Sequence, residues 1–212
     1  MSPTPPADQQ VLEDSDLQWE IFWHKNKTKI IGGTIALVAI LVVFCVWYLN
    51  RNLAETGAQD MLAKAVNAQE WEAVIKRYPG TMPAADATLR LAEAQRVEGK
   101  LADSTATFER FLASFPRHPL AGGALFGIAQ NLDLEGRTQE AVAAYLRVPT
   151  EYPSSYAAPL ADYSRAEIFL RDFKTEEARP ILENLASANP PTNVSRLAAA
   201  QLSRIGSRSS TP

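Results

Sequence analysis

Cysteine, histidine and methionine are scarce in this chain. Its 212 residues include one Cys, two His and three Met, and its net charge is only −3. One thiol, Cys45, excludes a disulfide framework within the monomer. His24 and His118 stand alone, outside any His-x-x-Glu-His or Cys-x-x-Cys spacing, so no metal-ligand motif is present. The lack of a basic excess argues against nucleic-acid binding. Gly122-Gly123 and Gly127 are not followed by Lys-Ser/Thr, which excludes a phosphate-cradling loop, and there is no nucleophile elbow. No cofactor is expected, and the chain reads as a non-enzyme. Alanine, by contrast, occurs 33 times. It loses no side-chain entropy in a helix, so the composition points to an all-α fold.

The apolar residues are concentrated in Ile30 to Leu49, twenty residues without a charge. As a helix this run is roughly 30 Å long, the thickness of a bilayer core. Trp23 precedes it and Trp47-Tyr48 close it, where interfacial aromatics belong. The run begins too late and is too long for a signal-peptide core, and no small-x-small cleavage site follows it. Cys45 lies inside the span, after Phe44, and reads as a membrane-buried thiol. Lys25, Lys27 and Lys29 crowd the N-terminal side, whereas Arg51 and Lys64 are the only cations close on the other. This bias places the N-terminus in the cytoplasm and residues 50–212 on the trans side, the periplasm of a two-membrane bacterium. Residues 1–16 read as a disordered cytoplasmic tail rich in Pro, Asp and Gln. Residues 17–29 form an aromatic-basic juxtamembrane segment. Within it, Leu17 to Trp23 is either a short helix on the membrane surface or the beginning of the span.

The rest, 50–206, repeats with a period of 37. Pro79, Pro116, Pro153 and Pro190 share that spacing, and the first three follow Tyr78, Phe115 and Tyr152. Ala92, Ala129 and Ala166 keep the register, as do Ser104, Ala141 and Ala178, and then Phe108, Tyr145 and Leu182. Gly99 and Gly136 match, with Phe173 in the third copy. Small residues recur where two helices approach closely. A large one fills the space between pairs, Gly makes the turn, and Pro ends the second helix. The pattern resembles the tetratricopeptide repeat, a helix-turn-helix unit of about 34 residues. The copies run roughly 85–121, 122–158 and 159–191. A partial unit containing Trp71 and Val74 precedes them, and a capping helix of about Asn193 to Ile205 follows. Pro180 falls inside the third second-helix and should kink it or delay its start. Residues 207–212 read as a disordered tail.

Stacked helix pairs present a concave surface lined by first helices. Its expected lining is Arg90 and Glu93, Phe126 and Gln130, and Tyr163 and Glu167, rimmed by Arg96, Asp133 and Arg171. Such a mixed surface suits a peptide or a partner helix, although Phe126 and Tyr163 are equally suited to packing between repeats. The carboxylate clamp of some tetratricopeptide domains is absent, because its positions hold Leu89, Glu93, Gly127, Leu160 and Ser164. Asn26-Lys27-Thr28 and Asn193-Val194-Ser195 fit the short glycosylation pattern; the first would be cytoplasmic, so at most the second is usable, and only in a eukaryotic secretory host.

Three stretches carry a family resemblance: the flank Phe22-Trp23-His24-Lys25-Asn26-Lys27-Thr28-Lys29, the span start Ile31-Gly32-Gly33, and the exit Val46-Trp47-Tyr48. Together with Tyr78-Pro79-Gly80-Thr81 and Leu89-Arg90-Leu91-Ala92, they resemble the YfgM-like family. The likeness covers about residues 20 to 135. It implies a single-pass protein of the bacterial inner membrane, ancillary to the Sec translocon, with translocon subunits or periplasmic chaperones as partners. From the second copy onward, Tyr152-Pro153-Ser154-Ser155-Tyr156-Ala157 is also similar to envelope-assembly proteins of the BamD and YbgF type. Their likeness implies the alternative, an adaptor for another envelope complex without contact with exported clients. Those proteins lack an uncleaved span.

Overall fold

The computed structural model describes residues 7–188 and 191–209, with side chains for 21–188 and 191–206. The described residues are helical, joined by short turns, and contain no strand. The chain divides into two compact units, residues 1–53 and 54–212.

Helix α1 covers Ala7–Lys64. Residues 7–16, expected in a disordered tail, lie within it, as do residues 17–29 without a break before the apolar run. Residues 1–6 lie outside the described residues. The stretch Ile31–Asn50 is exposed at every position, so no protein surface covers its apolar side chains. Among the described residues, this is the helix long and apolar enough to cross a membrane. Within the run, the Thr34 hydroxyl donates to the Ile30 carbonyl at 2.8 Å, so that donor is satisfied in an apolar surround. At the far end Phe44 packs 5.9 Å from Trp47, and the Arg51 guanidinium lies 5.6 Å over the Trp47 ring. Cys45 is exposed on this helix.

The second unit is a solenoid of helix pairs. After α2 (Ala68–Arg77) come α3 (Met82–Val97) with α4 (Leu101–Ser114), α5 (Ala121–Leu134) with α6 (Thr138–Glu151), and α7 (Ala157–Arg171) with α8 (Thr175–Ala186). Helix α9 covers Asn193–Ser209. The helix ends keep the 37-residue register. First helices end at Val97, Leu134 and Arg171, and second helices begin at Leu101, Thr138 and Thr175. The turn between them is the same each time. Lys100, Arg137 and Lys174 donate their amides to the carbonyls of Gln95, Leu132 and Phe169 at 2.8–2.9 Å, closing the first helix through a residue with positive φ. That residue is Gly99 or Gly136 in the first two pairs and Phe173 in the third. At the other end, Tyr78, Phe115 and Tyr152 cap second helices by donating to Val74, Phe111 and Val148. The prolines that follow prevent continuation. Pro190 of the same series lies outside the described residues. Pro180 sits inside α8, as its sixth residue, and neither delays the start nor ends the helix.

The repeated columns form the core. Ala92, Ala129 and Ala166 are buried, as are Ser104, Ala141 and Ala178, and Phe108, Tyr145 and Leu182. Gly127 shows why a small residue is required: a Cβ there would lie 2.7 Å from the Phe108 ring. Asn131, fully buried, donates to Ser104 Oγ at 2.9 Å and Thr105 Oγ1 at 3.0 Å, and Ser104 donates to the Ala92 carbonyl at 2.8 Å. This polar knot ties α3, α4 and α5 together. Helix α3 touches α5, and α5 touches α7, whereas α4, α6 and α8 make no contact with one another. First helices therefore form a close inner layer and second helices a splayed outer one, the geometry that curves a solenoid.

Candidate functional site

The inner layer carries a groove of about 440 Å³ at the C-terminal ends of α3, α5 and α7. It is lined by Arg96 of α3, Gln130 and Asp133 of α5, and Ser164, Glu167 and Arg171 of α7, with Tyr145 of α6 reaching in from the outer layer. Its side chains are linked from repeat to repeat. The Arg96 guanidinium donates to Glu93 on its own helix and to Gln130 Oε1 on the next. Asp133 Oδ1 accepts from Arg171 Nη2 at 2.6 Å, one pair further along. That bond holds the Arg171 guanidinium charged to a higher pH than usual.

Tyr145 is almost fully buried and hydrogen-bonds Ser164. Burial, reinforced by the nearby Asp133 carboxylate, pushes its phenol up to about 12. It stays a neutral hydroxyl at the base of the groove. The groove thus alternates guanidinium, amide, carboxylate and hydroxyl along its lining. Among the described residues, no group of three His, Cys, Asp or Glu is placed to hold a metal ion. The chemistry offered is hydrogen bonding and ion pairing to an extended chain or a helix face.

The structure distributes the six expected lining residues over four places. Gln130 and Glu167 line the groove and Glu93 joins it through Arg96. Phe126 is half-buried against the core, its ring 5.5 Å from that of Tyr145, so it packs between helices. Tyr163 is half-buried against the α8–α9 cluster, and its hydroxyl bonds Glu167 and Gln201. Arg90 lies elsewhere, in a groove with Glu55, Gln59 and Asp86, beside the start of α3 that Glu55 caps through the Met82 amide at 3.0 Å. Arg96, Asp133 and Arg171, expected at the rim, make the cross-repeat bonds. Sequence reading missed Tyr145 and Ser164 as site residues. The available signal was that Tyr145 alone carries a hydroxyl in the Phe108, Tyr145, Leu182 column.

The fold is a tetratricopeptide-like helical repeat solenoid. Residues 68–116 and 89–156 match the tetratricopeptide repeat family. Among solved structures, the chain is similar to a tetratricopeptide repeat protein from Parabacteroides merdae. That match has 18% identity and a TM-score of 0.53 over 76% of this chain and 61% of that one. It is also similar to the nearly identical TPR-like repeats of a candidate kinesin light chain from Podosopora anserina, with 16% identity and a TM-score of 0.51 over 73% and 82%. At these identities the likeness is one of fold. No curated protein matches the chain.

Proposed function

We propose that this protein is a membrane-tethered binding scaffold whose inner-layer groove takes a segment of a protein partner. The observation that carries the reading is the groove itself: three successive first helices converge polar side chains along one line, where a solenoid binds extended ligands. The tether is the uncovered apolar helix, with Trp23, Lys25, Lys27 and Lys29 on one flank and Trp47 and Tyr48 on the other. The lysine bias supports a cytoplasmic N-terminus and a periplasmic solenoid in a bacterial inner membrane. The YfgM-like resemblance of residues 20 to 135 supports work beside the Sec translocon, where the groove would hold exported chains or their chaperones.

The test is photocrosslinking in living cells from Gln130 and Glu167, each replaced by a benzophenone amino acid, with partners read by mass spectrometry. Translocon subunits or secretory clients are the expected products. Crosslinks to one dedicated envelope complex and to no client would transfer the protein to the adaptor role of the BamD and YbgF type.

A further inference from the structure

The turn of the third helix pair departs from its siblings at the left-handed position. In the first two, the turn places Gly99 and Gly136 at φ 77° and 76°, the left-handed region that glycine adopts without penalty. In the third, Phe173 holds φ 61°, a conformation in which a bulky residue is a genuine outlier. Packing of the side chain does not compensate for it, since Phe173 is 93% exposed. A strained backbone and a large aromatic ring in water are thus maintained together, the combination that marks a binding residue rather than a packing one.

The surroundings of the ring define a ligand chemistry. Phe173 stands over a groove of about 640 Å³ between the α7–α8 turn and α9, which meets the central one only at Arg171. Leu170 and Ile205 supply half-buried apolar surface, and Arg171, Arg179 and Arg204 bring three guanidiniums against the single carboxylate of Glu176. Arg171 is bonded to Asp133, and Arg204 donates to Gln201 at 3.5 Å. Arg179, half-buried, is in no ion pair with a described residue. An aromatic platform beside arginines complements carboxylates flanking an apolar side chain.

We infer that Phe173, Arg179 and Arg204 form a second docking surface, for an acidic protein segment carrying a central aromatic or aliphatic residue. It shares Arg171 with the central groove, but Phe173, Arg179 and Arg204 lie outside that groove's lining, so their substitution tests this surface and not the central one. Binding would be salt-sensitive and would release no strain held elsewhere, because the strain is local to residue 173.

The test uses the full chain in neutral detergent and two fluorescent heptapeptides, Asp/Glu-rich or Lys-rich, each around one central Phe. Anisotropy should show that the acidic peptide binds and the basic one does not. Phe173→Gly and Arg179→Glu should each weaken binding at least tenfold, and Arg96→Ala should leave it unchanged. Phe173→Gly restores the residue of the sibling turns, so its melting temperature should hold or rise while binding falls. A purely structural Phe173 would give the reverse, a less stable chain with unaltered binding, and that result would overturn the proposal. So would equal binding of both peptides. Capture of the chain on phosphatidylglycerol vesicles, abolished by Phe173→Gly while neither peptide binds, would assign the surface to lipid instead and overturn it equally.

Discussion

Tyr145 and Gly127 show how much one atom decides in this solenoid. Tyr145 keeps its proton in the folded state to about pH 12, whereas an unfolded tyrosine ionises near 10. The raised value belongs to the folded state, so the associated stability is intact below pH 10 and is lost as pH climbs from 10 to 12. The steepest loss is about 1.4 kcal/mol per pH unit. Tyr145→Phe should flatten the fall in melting temperature across that window, and an alkaline limb identical to wild type would show that the phenol is not its source. Gly127 sits where a methyl group would meet the rigid, buried Phe108 ring at 2.7 Å. Alanine gains about 1 kcal/mol in helix propensity but loses about 1–3 kcal/mol to overpacking. Gly127→Ala should therefore be destabilising in urea melts, and Gly127→Ala with Phe108→Leu should recover most of the loss. The small column at 92, 129 and 166 was readable in the sequence because close approach demands small residues at a fixed period. The need for glycine at 127 was not, because it arises from a ring nineteen positions earlier that only packing brings across.

At the scale of the helix, the period disclosed the architecture and the caps disclosed its ends. Aromatic-proline pairs mark where second helices stop, and the structure gives all three caps nearly the same geometry, with φ between −129° and −133°. Pro180 is where local and tertiary rules diverge. By itself it should break α8, since it removes one amide donor. Yet Ala178, Leu182 and Leu185 are buried around it and hold the helix through the defect. Its siblings in the register are Ala106 and Ala143. Pro180 is exposed, so Pro180→Ala restores a hydrogen bond without a clash and should raise stability by about 1–3 kcal/mol. Calorimetry that found no gain would mean that the helix has fully adapted to the proline. The site was legible less evenly. Gln130 and Glu167 follow from counting turns along first helices. Phe126 and Tyr163 went inward because an aromatic on an inner-layer helix gains more from neighbouring rings and α9 than from water. Arg90 was assigned by register to a face that the capping of α3 by Glu55 turns into a different groove.

For the molecule as a whole, the proposed orientation has a direct check. Protease added to intact spheroplasts should digest residues 54–212 and spare the N-terminal flank. Protection of the solenoid until lysis would reverse the topology. A different consequence lies in the matched helix ends. Starts at 101, 138 and 175 and stops at 97, 134 and 171 mean that every pair meets its neighbour in the same phase. Such a chain can be shortened like a spliced cable. Removing residues 122–158 would bring α4 against α7, where Phe108 would meet Ser164 in place of Gly127. With Ser164→Gly added, the shortened chain should remain helical and melt cooperatively, as circular dichroism would record. Without that change it should melt lower. Length then becomes a quantity this protein can gain or lose in whole units of 37 residues, and the span of partner it can embrace changes by the same step.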